Sequence, residues 1–164
     1  MKQINAIENK IYSLPELLAT IKGWRVTSRT IAFSNGCFDI LHEGHIYSLS
    51  QAAKEADIMI VGVNSDASTK RLKGNERPIN NEHSRALLLA SLAIVDAVVI
   101  FEEDTPLELI SAILPDVIVK GGDYTIEQIA GAKEVIENGG RVLINNMVDG
   151  FSTTGIIAKI RALG

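Results

Sequence analysis

Ser34–His45 has the sequence Ser-Asn-Gly-Cys-Phe-Asp-Ile-Leu-His-Glu-Gly-His, and the rest of the chain can be placed around this segment. The apolar residues at 30–33 predict a short buried strand before the turn, and the apolar residues within 46–54 recur at helical spacing. We therefore predict a strand, a tight turn and the start of a helix. Gly36 allows the sharp turn and the close approach of a ligand, and Gly44 leaves room beside the helix start.

The two histidines of this segment predict a polyphosphate site. The first turn of a helix offers unpaired N–H groups and the positive end of the helix dipole, which favour phosphate. His42 and His45 would lie on one face of that turn, and both could donate to phosphate oxygens. A lone histidine in a turn is more often a cap or a satisfied buried group, but two of the three histidines lie here. A metal site that includes Asp39 ranks below phosphate, because no further Cys/His cluster has ligand spacing.

The segment from Asn35 to His45 resembles the signature of the cytidylyltransferase-like nucleotidyltransferases, in which Gly-x-Phe-Asp precedes His-x-Gly-His. The second element alone is less specific, because class I aminoacyl-tRNA synthetases have a related one. The resemblance implies that a phosphate oxygen of a small substrate attacks the α-phosphorus of a nucleoside triphosphate, and that pyrophosphate leaves. It also implies catalytic roles for His42, His45 and Lys73.

Composition limits the classes of function. The chain has 164 residues, of which 46% are hydrophobic and 22% are charged, as expected for one soluble globular domain. A net charge of −4 gives no support for a nucleic-acid partner held by bulk electrostatics. The single cysteine, Cys37, excludes an internal disulfide and suits a reducing compartment. Without a signal-peptide core or an apolar run near the ~20 residues of a membrane span, we expect a cytoplasmic protein with no membrane partner.

Strand-like apolar runs alternate with helical patterns along the chain. The later runs lie at 58–63, 97–101, 117–119 and 141–144. This alternation predicts a Rossmann-like, doubly wound parallel sheet of the α/β class, with ligands bound beyond the carboxyl ends of the strands. We expect a single nucleotidyltransferase domain over 1–164, with a helical extension at 1–29 and a catalytic core at 30–164.

Caps and stops predict the helix boundaries. A capping box at Ser13 begins a first helix, and Gly23 ends it. The basic stretch 69–78 contains glycine and proline and is predicted to be a mobile loop. Thr105–Glu108 is a second capping box, with Pro106 at the first helical position. Further helices are predicted after Asn81, over 130–138 and over 155–163.

Other site residues follow from the resemblance. Lys73 stands before a glycine, as in the family, and would contact the triphosphate. Gly150–Thr154 resembles the closing motif of the family, whose hydroxyls and N–H groups hold phosphate and nucleoside. The nucleotide-binding residues implied are Asn35, Gly36, Cys37, Phe38, His42, Gly44, His45, Lys73, Gly121, Gly122, Asp123, Gly150, Phe151, Ser152, Thr153 and Thr154. The substrate-binding residues implied are Asp39, Lys70, Arg77, Arg85 and Lys120.

Plainer interpretations accompany these assignments. A simple helix cap is the alternative for Ser152–Thr154. Solvated surface charge is the alternative for Lys70, and it is the expected role of Arg25. A surface ion pair with Glu82 is the alternative for Arg85. No residue is assigned as a metal ligand, because Mg²⁺ is expected to arrive with ATP.

Segments 64–78, 101–106, 120–124 and 150–154 resemble the adenylyltransferases that make ADP-heptose. This implies transfer of AMP from ATP to D-glycero-D-manno-heptose 1-phosphate, for lipopolysaccharide core or surface glycans. Because 164 residues leave no room for the sugar kinase often joined to this activity, we expect a free-standing enzyme, and by resemblance a homodimer. A glycerol-3-phosphate cytidylyltransferase using CTP is one alternative, although residues 145–149 lack the arginine typical of that family. A non-catalytic nucleotide-binding module is another.

Overall fold

The computed structural model describes residues 4–146 and 150–163. Residues 147–149, part of the segment used above to choose between bases, lie outside the described residues. The strands are β1 (Ile11–Tyr12), β2 (Ile31–Gly36), β3 (Ile58–Asn64), β4 (Ala97–Phe101), β5 (Val117–Gly121) and β6 (Arg141–Asn145). The α-helices are α1 (Leu14–Val26), α2 (Glu43–Ala53), α3 (Asp66–Lys73), α4 (Glu82–Ala90), α5 (Leu107–Ile113), α6 (Ala132–Glu137) and α7 (Thr153–Arg161). Short 3₁₀ helices lie at Ile4–Ala6, Glu8–Lys10 and Ile126–Gln128.

The strands form one parallel sheet in the order β1-β4-β3-β2-β5-β6, which confirms the predicted Rossmann-like fold. β2 pairs with β3 along its whole length, but with β5 only at Ala32 and Phe33. The strand order reverses between β2 and β5. A crevice is expected at the carboxyl ends of strands where the order reverses, and the short pairing lets these two strands separate there.

Helices cover both faces of the sheet, and β3 is therefore buried along its length. Its residues alternate between two apolar clusters. Ile58 and Ile60 belong to one cluster together with residues of α1, α5 and α6. Met59 and Val61 belong to the other cluster together with residues of α2 and α4. This burial on both sides explains the continuous apolar run in the sequence.

Aspartates fix the amino ends of the central strands. Asp116 accepts a hydrogen bond from the backbone N–H of Ile31 at 2.6 Å and pairs with Arg25, also at 2.6 Å. Asp96 accepts from the N–H of Met59 at 2.8 Å. The interpretation of Arg25 as solvated surface charge is therefore wrong. With their amino ends held, β2 and β3 present their carboxyl ends at one edge of the sheet.

The basic stretch predicted as a loop begins inside α3. Ser65 caps this helix by accepting from the N–H of Ser68 at 3.1 Å, and the buried Thr69 donates to the carbonyl of Asn64. The helix ends where Gly74 takes a φ of 99°, which favours glycine. The prediction of a loop from residue 69 is therefore wrong up to Lys73.

Smaller corrections concern the ends of other elements. α1 continues past Gly23 to Val26, because a single glycine is tolerated within a helix. Pro106, and not Thr105, is the cap of α5, and it makes no side-chain cap hydrogen bond, so the predicted capping box at Thr105–Glu108 is wrong. α7 begins at Thr153 rather than at residue 155. β1, which the sequence did not predict, pairs with Val98 and Val99 at the edge of the sheet.

Candidate active site

A cavity of about 620 Å³ lies at the carboxyl ends of the strands. Its walls come from the segments that follow β2, β3, β4, β5 and β6, as the fold predicts. The predicted site residues in its wall are Asn35, Gly36, Cys37, Phe38, Asp39, His42, Gly44, His45, Lys73, Arg77, Lys120, Gly121, Phe151, Ser152, Thr153 and Thr154. The sequence thus placed residues from opposite ends of the chain in one site.

The structure does not bring every predicted residue to this wall. Those outside it are Lys70, Arg85, Gly122, Asp123 and Gly150. Lys70 is exposed on α3, while Arg85 is fully buried behind the cavity. Neither of these two side chains therefore lines the cavity.

The cavity also contains residues that the sequence analysis missed. They are Ser34, Ser48, Leu49, Asn64, Leu72, Asp104, Thr105, Pro106, Tyr124, Gln128, Ile129, Ala130 and Asn146. Asn64 ends β3 and Asp104 follows β4, so the strand-end rule could have found both. Ser48 lies one helical turn after His45, which is also a recognisable spacing. Residues 128–130 belong to the connection between β5 and α6, which passes beside the cavity. The sequence has no comparable signal for the path of this connection.

The two histidines stack on each other where α2 begins. His42 is the residue before the helix. The centroid of its ring lies 3.8 Å from the ring centroid of His45, with 20° between the ring planes. Gly44 makes this arrangement possible, since a Cβ at that position would lie 3.1 Å from Nδ1 of His42 and 3.3 Å from the Cβ of Phe151. Phe38 packs edge-on against His45, with 5.2 Å between the ring centroids.

Both imidazoles are neutral at pH 7. Burial lowers the pKa of His42 below its ordinary value, and burial followed by the neighbouring His42 lowers the pKa of His45 to about 4. The Nδ1 atoms of both rings are buried and, among the described residues, have no hydrogen-bond partner. Nε2 is therefore the nitrogen of each ring that can donate a proton to a ligand.

Asp39 anchors the loop that carries these histidines. Its carboxylate accepts from the backbone N–H groups of Ile79 at 2.7 Å and Asn80 at 2.9 Å, and it pairs with Arg77. Burial opposes ionisation of Asp39, but the N–H groups of Asn80 and Ile79 and the charge of Arg77 outweigh it, so its pKa lies below the ordinary value. Asp39 thus joins the loop after β2 to the segment before α4.

Arg85 joins three segments behind the cavity. Its guanidinium donates to the carbonyl oxygens of Cys37 and Asn64, the latter at 2.7 Å, and to the carbonyl of Asn80 at 2.9 Å. It also pairs with Asp66 at 2.8 Å and is 0% exposed. The alternative of a surface ion pair with Glu82 is therefore wrong. Arg85 is a positioning residue, because it fixes carbonyl groups directly beside the cavity wall.

Lysines approach the cavity from both sides of β2. Lys73 is the last residue of α3 and is exposed in the cavity wall. Lys120 extends from β5 towards β2, where its Nζ lies 3.2 Å from Oδ1 of Asn35. Burial lowers the pKa of Lys120; Cys37 opposes this shift and the positive charge of Lys73 adds to it. The two lysines therefore place cationic side chains in the cavity wall.

The start of α7 closes the other side of the cavity. Ser152 caps the helix by accepting from the N–H of Gly155 at 2.9 Å. Thr153 donates to the carbonyl of Ile40 at 3.3 Å, which attaches α7 to the loop after β2. Helix α7 therefore presents hydroxyls and a positive helix end to the cavity that the histidines face.

The metal alternative finds little support in the side chains. Among the described residues, no group of three His, Cys, Asp or Glu side chains could hold a metal ion. Both oxygens of Asp39 already accept hydrogen bonds, from Arg77 and from two backbone N–H groups. A divalent cation would therefore fit this site only with phosphate oxygens and water as its main ligands.

In the part of the chain that the structure describes, no helix has the length and apolar character to cross a membrane.

Comparison with known proteins shows which family model and which relatives the chain matches. The profile of the family described as Cytidylyltransferase-like matches residues 33–159. The bifunctional protein HldE of Mesorhizobium japonicum is 54% identical over 142 residues, which are 87% of this chain and 29% of that protein. HldE of Rhodospirillum rubrum is 48% identical over 159 residues, covering 97% of this chain and 32% of that protein. The chain thus spans about a third of the length of these curated relatives.

Two solved structures have the same fold. The lipopolysaccharide core biosynthesis protein from Thermoplasma volcanium is 31% identical, with a TM-score of 0.58 over 73% of this chain and 97% of that one. The pantoate-beta-alanine ligase from Francisella tularensis is 14% identical, with a TM-score of 0.59 over 92% of this chain and 76% of that one. At that identity, the second similarity establishes the fold alone.

Proposed function

This chain belongs to the cytidylyltransferase-like family and is a nucleotidyltransferase, and from this premise we propose that it transfers AMP from ATP to D-glycero-D-manno-heptose 1-phosphate. The observation that carries the proposal is the stacked, neutral histidine pair that faces a cavity with cations on both sides. Phosphate-rich ligands suit such a cavity, because N–H donors and ammonium groups stabilise phosphate oxygens.

The proposed reaction is an in-line displacement at the α-phosphorus of ATP. An oxygen of the sugar phosphate forms the new bond to that phosphorus, while the bond to the oxygen bridging the α- and β-phosphates breaks. Pyrophosphate leaves with the electron pair of that bond. Because the attacking oxygen is already an anion, no general base is needed, and positioning and charge stabilisation supply the catalysis.

Each part of the site has a role in this reaction. His42 and His45 donate from Nε2 to phosphate oxygens, and their neutral state makes them hydrogen-bond donors rather than fixed charges. Lys73, at the end of α3, follows the negative charge that develops on the leaving pyrophosphate. Ser152 and Thr153 hold the nucleotide at the start of α7.

Mg²⁺ is proposed to enter with ATP. When bound, it would neutralise part of the charge of the triphosphate and orient the phosphates. The described residues fit a cation that keeps phosphate and water ligands, since Asp39 is already engaged by Arg77 and backbone N–H groups. The protein groups that remain for the phosphates are N–H and ammonium donors.

The choice of base and sugar rests on similarity. The curated relatives are named bifunctional protein HldE, and a solved relative is named as a lipopolysaccharide core biosynthesis protein. Segments 64–78 and 120–124 resemble ADP-heptose adenylyltransferases, and residues 145–149 lack an arginine that would favour cytosine. These observations support ATP and heptose 1-phosphate over CTP and glycerol 3-phosphate.

A four-way assay of pyrophosphate release tests the proposal. ATP and CTP are each paired with D-glycero-D-manno-heptose 1-phosphate and with glycerol 3-phosphate, in Mg²⁺. We expect release only with ATP and the heptose phosphate. Release that requires CTP would overturn the choice of base, and release only with glycerol 3-phosphate would overturn the choice of sugar.

A further inference from the structure

Lys120 occupies an unusual position at the crevice between β2 and β5. These strands pair only at Ala32 and Phe33, and Lys120 spans the gap beyond that pairing. Its Nζ lies 3.4 Å from the carbonyl oxygen and 3.2 Å from the side-chain oxygen of Asn35. The ring of Tyr124 covers it, with 5.7 Å from Nζ to the ring centroid. The side chains that contact the ammonium, those of Asn35 and Tyr124, are thus an amide and an aromatic group, both uncharged.

Three arginines each have a carboxylate partner, but Lys120 has none among the described residues. The arginine pairs are Arg25–Asp116, Arg77–Asp39 and Arg85–Asp66. No carboxylate of the described residues lies within ion-pairing distance of the Lys120 ammonium, and the positive charge of Lys73 adds to the lowering of the pKa of Lys120 by burial. Lys120 is half-buried and lines the cavity, so its ammonium can take an anion from the cavity side.

We infer that Lys120 is a catalytic residue whose ammonium binds the attacking phosphate of the acceptor. An ammonium has three donors, and Asn35 takes two of them in long hydrogen bonds, which leaves one donor for a ligand. The starts of α2 and α7 already provide donors for the triphosphate. Lys73 and Lys120 both line the cavity, so an acceptor phosphate bound there would have two cations available to it.

This inference rests on the part of the proposed function that makes the acceptor a phosphate. It does not depend on which sugar carries that phosphate. Inorganic phosphate is therefore a suitable probe, provided that the triphosphate subsites are filled by an ATP analogue with a methylene bridge between the α- and β-phosphates. The analogue alone reports binding at the nucleotide side.

The first test compares Lys120→Met with Lys22→Met by calorimetric titration. Lys22 is an exposed lysine of α1 outside the cavity and serves as the matched control. In Lys120→Met, the affinity for inorganic phosphate beside the bound analogue should fall by about 10- to 100-fold, the size of a charged hydrogen bond, with little change for the analogue alone. Loss of analogue binding instead would overturn the assignment to the acceptor, as would unchanged phosphate binding.

The second test is Asn35→Asp, which places a carboxylate of the same shape 3.2 Å from the ammonium. Supplying the missing counter-ion should raise the melting temperature, while the affinity for inorganic phosphate falls. The carboxylate in the cavity wall also repels phosphate directly. A purely structural role for Lys120 therefore predicts that Asn35→Asp lowers phosphate affinity by the same factor in the wild type and in Lys120→Met, whereas the inferred role predicts a larger loss in the wild type. A melting temperature at or below that of the wild type would show that a counter-ion does not stabilise the Lys120 ammonium.

These outcomes separate this inference from the proposed function. If the wild type does not turn over heptose 1-phosphate but loses phosphate affinity in Lys120→Met, the sugar is wrong and the role of Lys120 stands. If the wild type is active and Lys120→Met retains its kcat/KM for heptose 1-phosphate, the role of Lys120 is wrong and the function stands.

Discussion

The neutral histidine pair determines what single residues can be expected to do in this site. We predict that His45→Ala lowers kcat by about 10²–10³-fold, as for loss of a preorganised donor. The fold should remain, because the Nδ1 atom of His45 has no partner among the described residues. His83→Ala, which removes an exposed histidine of α4, is the control. Steady-state kinetics and far-UV circular dichroism measure both effects; near-wild-type turnover of His45→Ala would contradict the mechanism.

The same residue makes stability depend on pH. A histidine in the unfolded chain takes up its proton near its ordinary pKa of 6.5, whereas burial and His42 lower the pKa of His45 in the folded protein to about 4. Between these values the unfolded state binds more protons, so stability should fall as the pH is lowered from about 6.5 towards 4. His45→Gln should reduce this fall in thermal unfolding measurements. Identical pH profiles for both proteins would refute the assignment.

Arg85 should act on stability rather than on a ligand directly. Arg85→Met leaves the half-buried carboxylate of Asp66 and three carbonyl groups without their donor. We expect the free energy of unfolding to fall by about 3–5 kcal/mol, as when a buried ion pair loses one partner. Urea unfolding measures this, with the exposed Arg29→Met as a control expected to change it by less than about 0.5 kcal/mol. If both variants lost the same small amount of unfolding free energy, Arg85 would not be a positioning residue.

At the scale of elements, substitutions of two helical glycines are expected to affect different properties, one the stability and the other the activity. Gly23 in α1 has nothing within 4 Å of an added Cβ, so Gly23→Ala should stabilise the protein by about 0.5–1 kcal/mol with unchanged activity. In α2, the added methyl of Gly44→Ala would press on His42 and Phe151. We expect kcat to fall by about tenfold, since small displacements of catalytic groups are costly. Denaturant unfolding and kinetics are compared for the pair; full activity of Gly44→Ala would show that the histidine tolerates the shift.

Helix boundaries show where local sequence signals succeed and where they fail. The caps at Ser13, Asn81 and Ser152 are all present, because capping is decided within a few residues. The continuation of α3 through the basic stretch was missed, since it depends on the buried contact of Thr69 with Asn64. The charged residues of this stretch suggested a solvent-exposed loop. They lie on a helix whose other face, with Ser68 and Thr69, is buried.

For the whole molecule, the contrast between the core and α7 predicts how ligand binding changes backbone dynamics. β3 is buried throughout, whereas no residue of α7 is buried. Hydrogen exchange should therefore be slow in β3 with or without ligand, and fast in α7 of the free protein. Binding of the methylene-bridged ATP analogue should slow exchange in α7 but not in α1. Equal protection of both helices would contradict the placement of the nucleotide at α7.

The sequence predicted the architecture and most of the cavity wall for a physical reason. Apolar runs and the Gly-x-Phe-Asp…His-x-Gly-His signature at 36–45 are local, and parallel strands place their following loops at one edge. The partners of buried charges are not local. Arg85 was implied to bind substrate, with a surface ion pair as the alternative, and its buried position was missed because its acceptors, such as Cys37, lie far away in the sequence. β1 was missed because two residues at a sheet edge carry too little pattern.

The loose attachment of α7 has a consequence for the pace of the catalytic cycle. The helix that carries Ser152 and Thr153 contributes no buried residue, and the hydrogen bond from Thr153 to Ile40 attaches it to the loop of the histidines. Detachment of this helix would therefore release a bound nucleotide without disturbing the sheet or the histidine pair. Exit of product and renewal of the empty enzyme would then depend on how often the contact between Thr153 and Ile40 opens rather than on the chemical step.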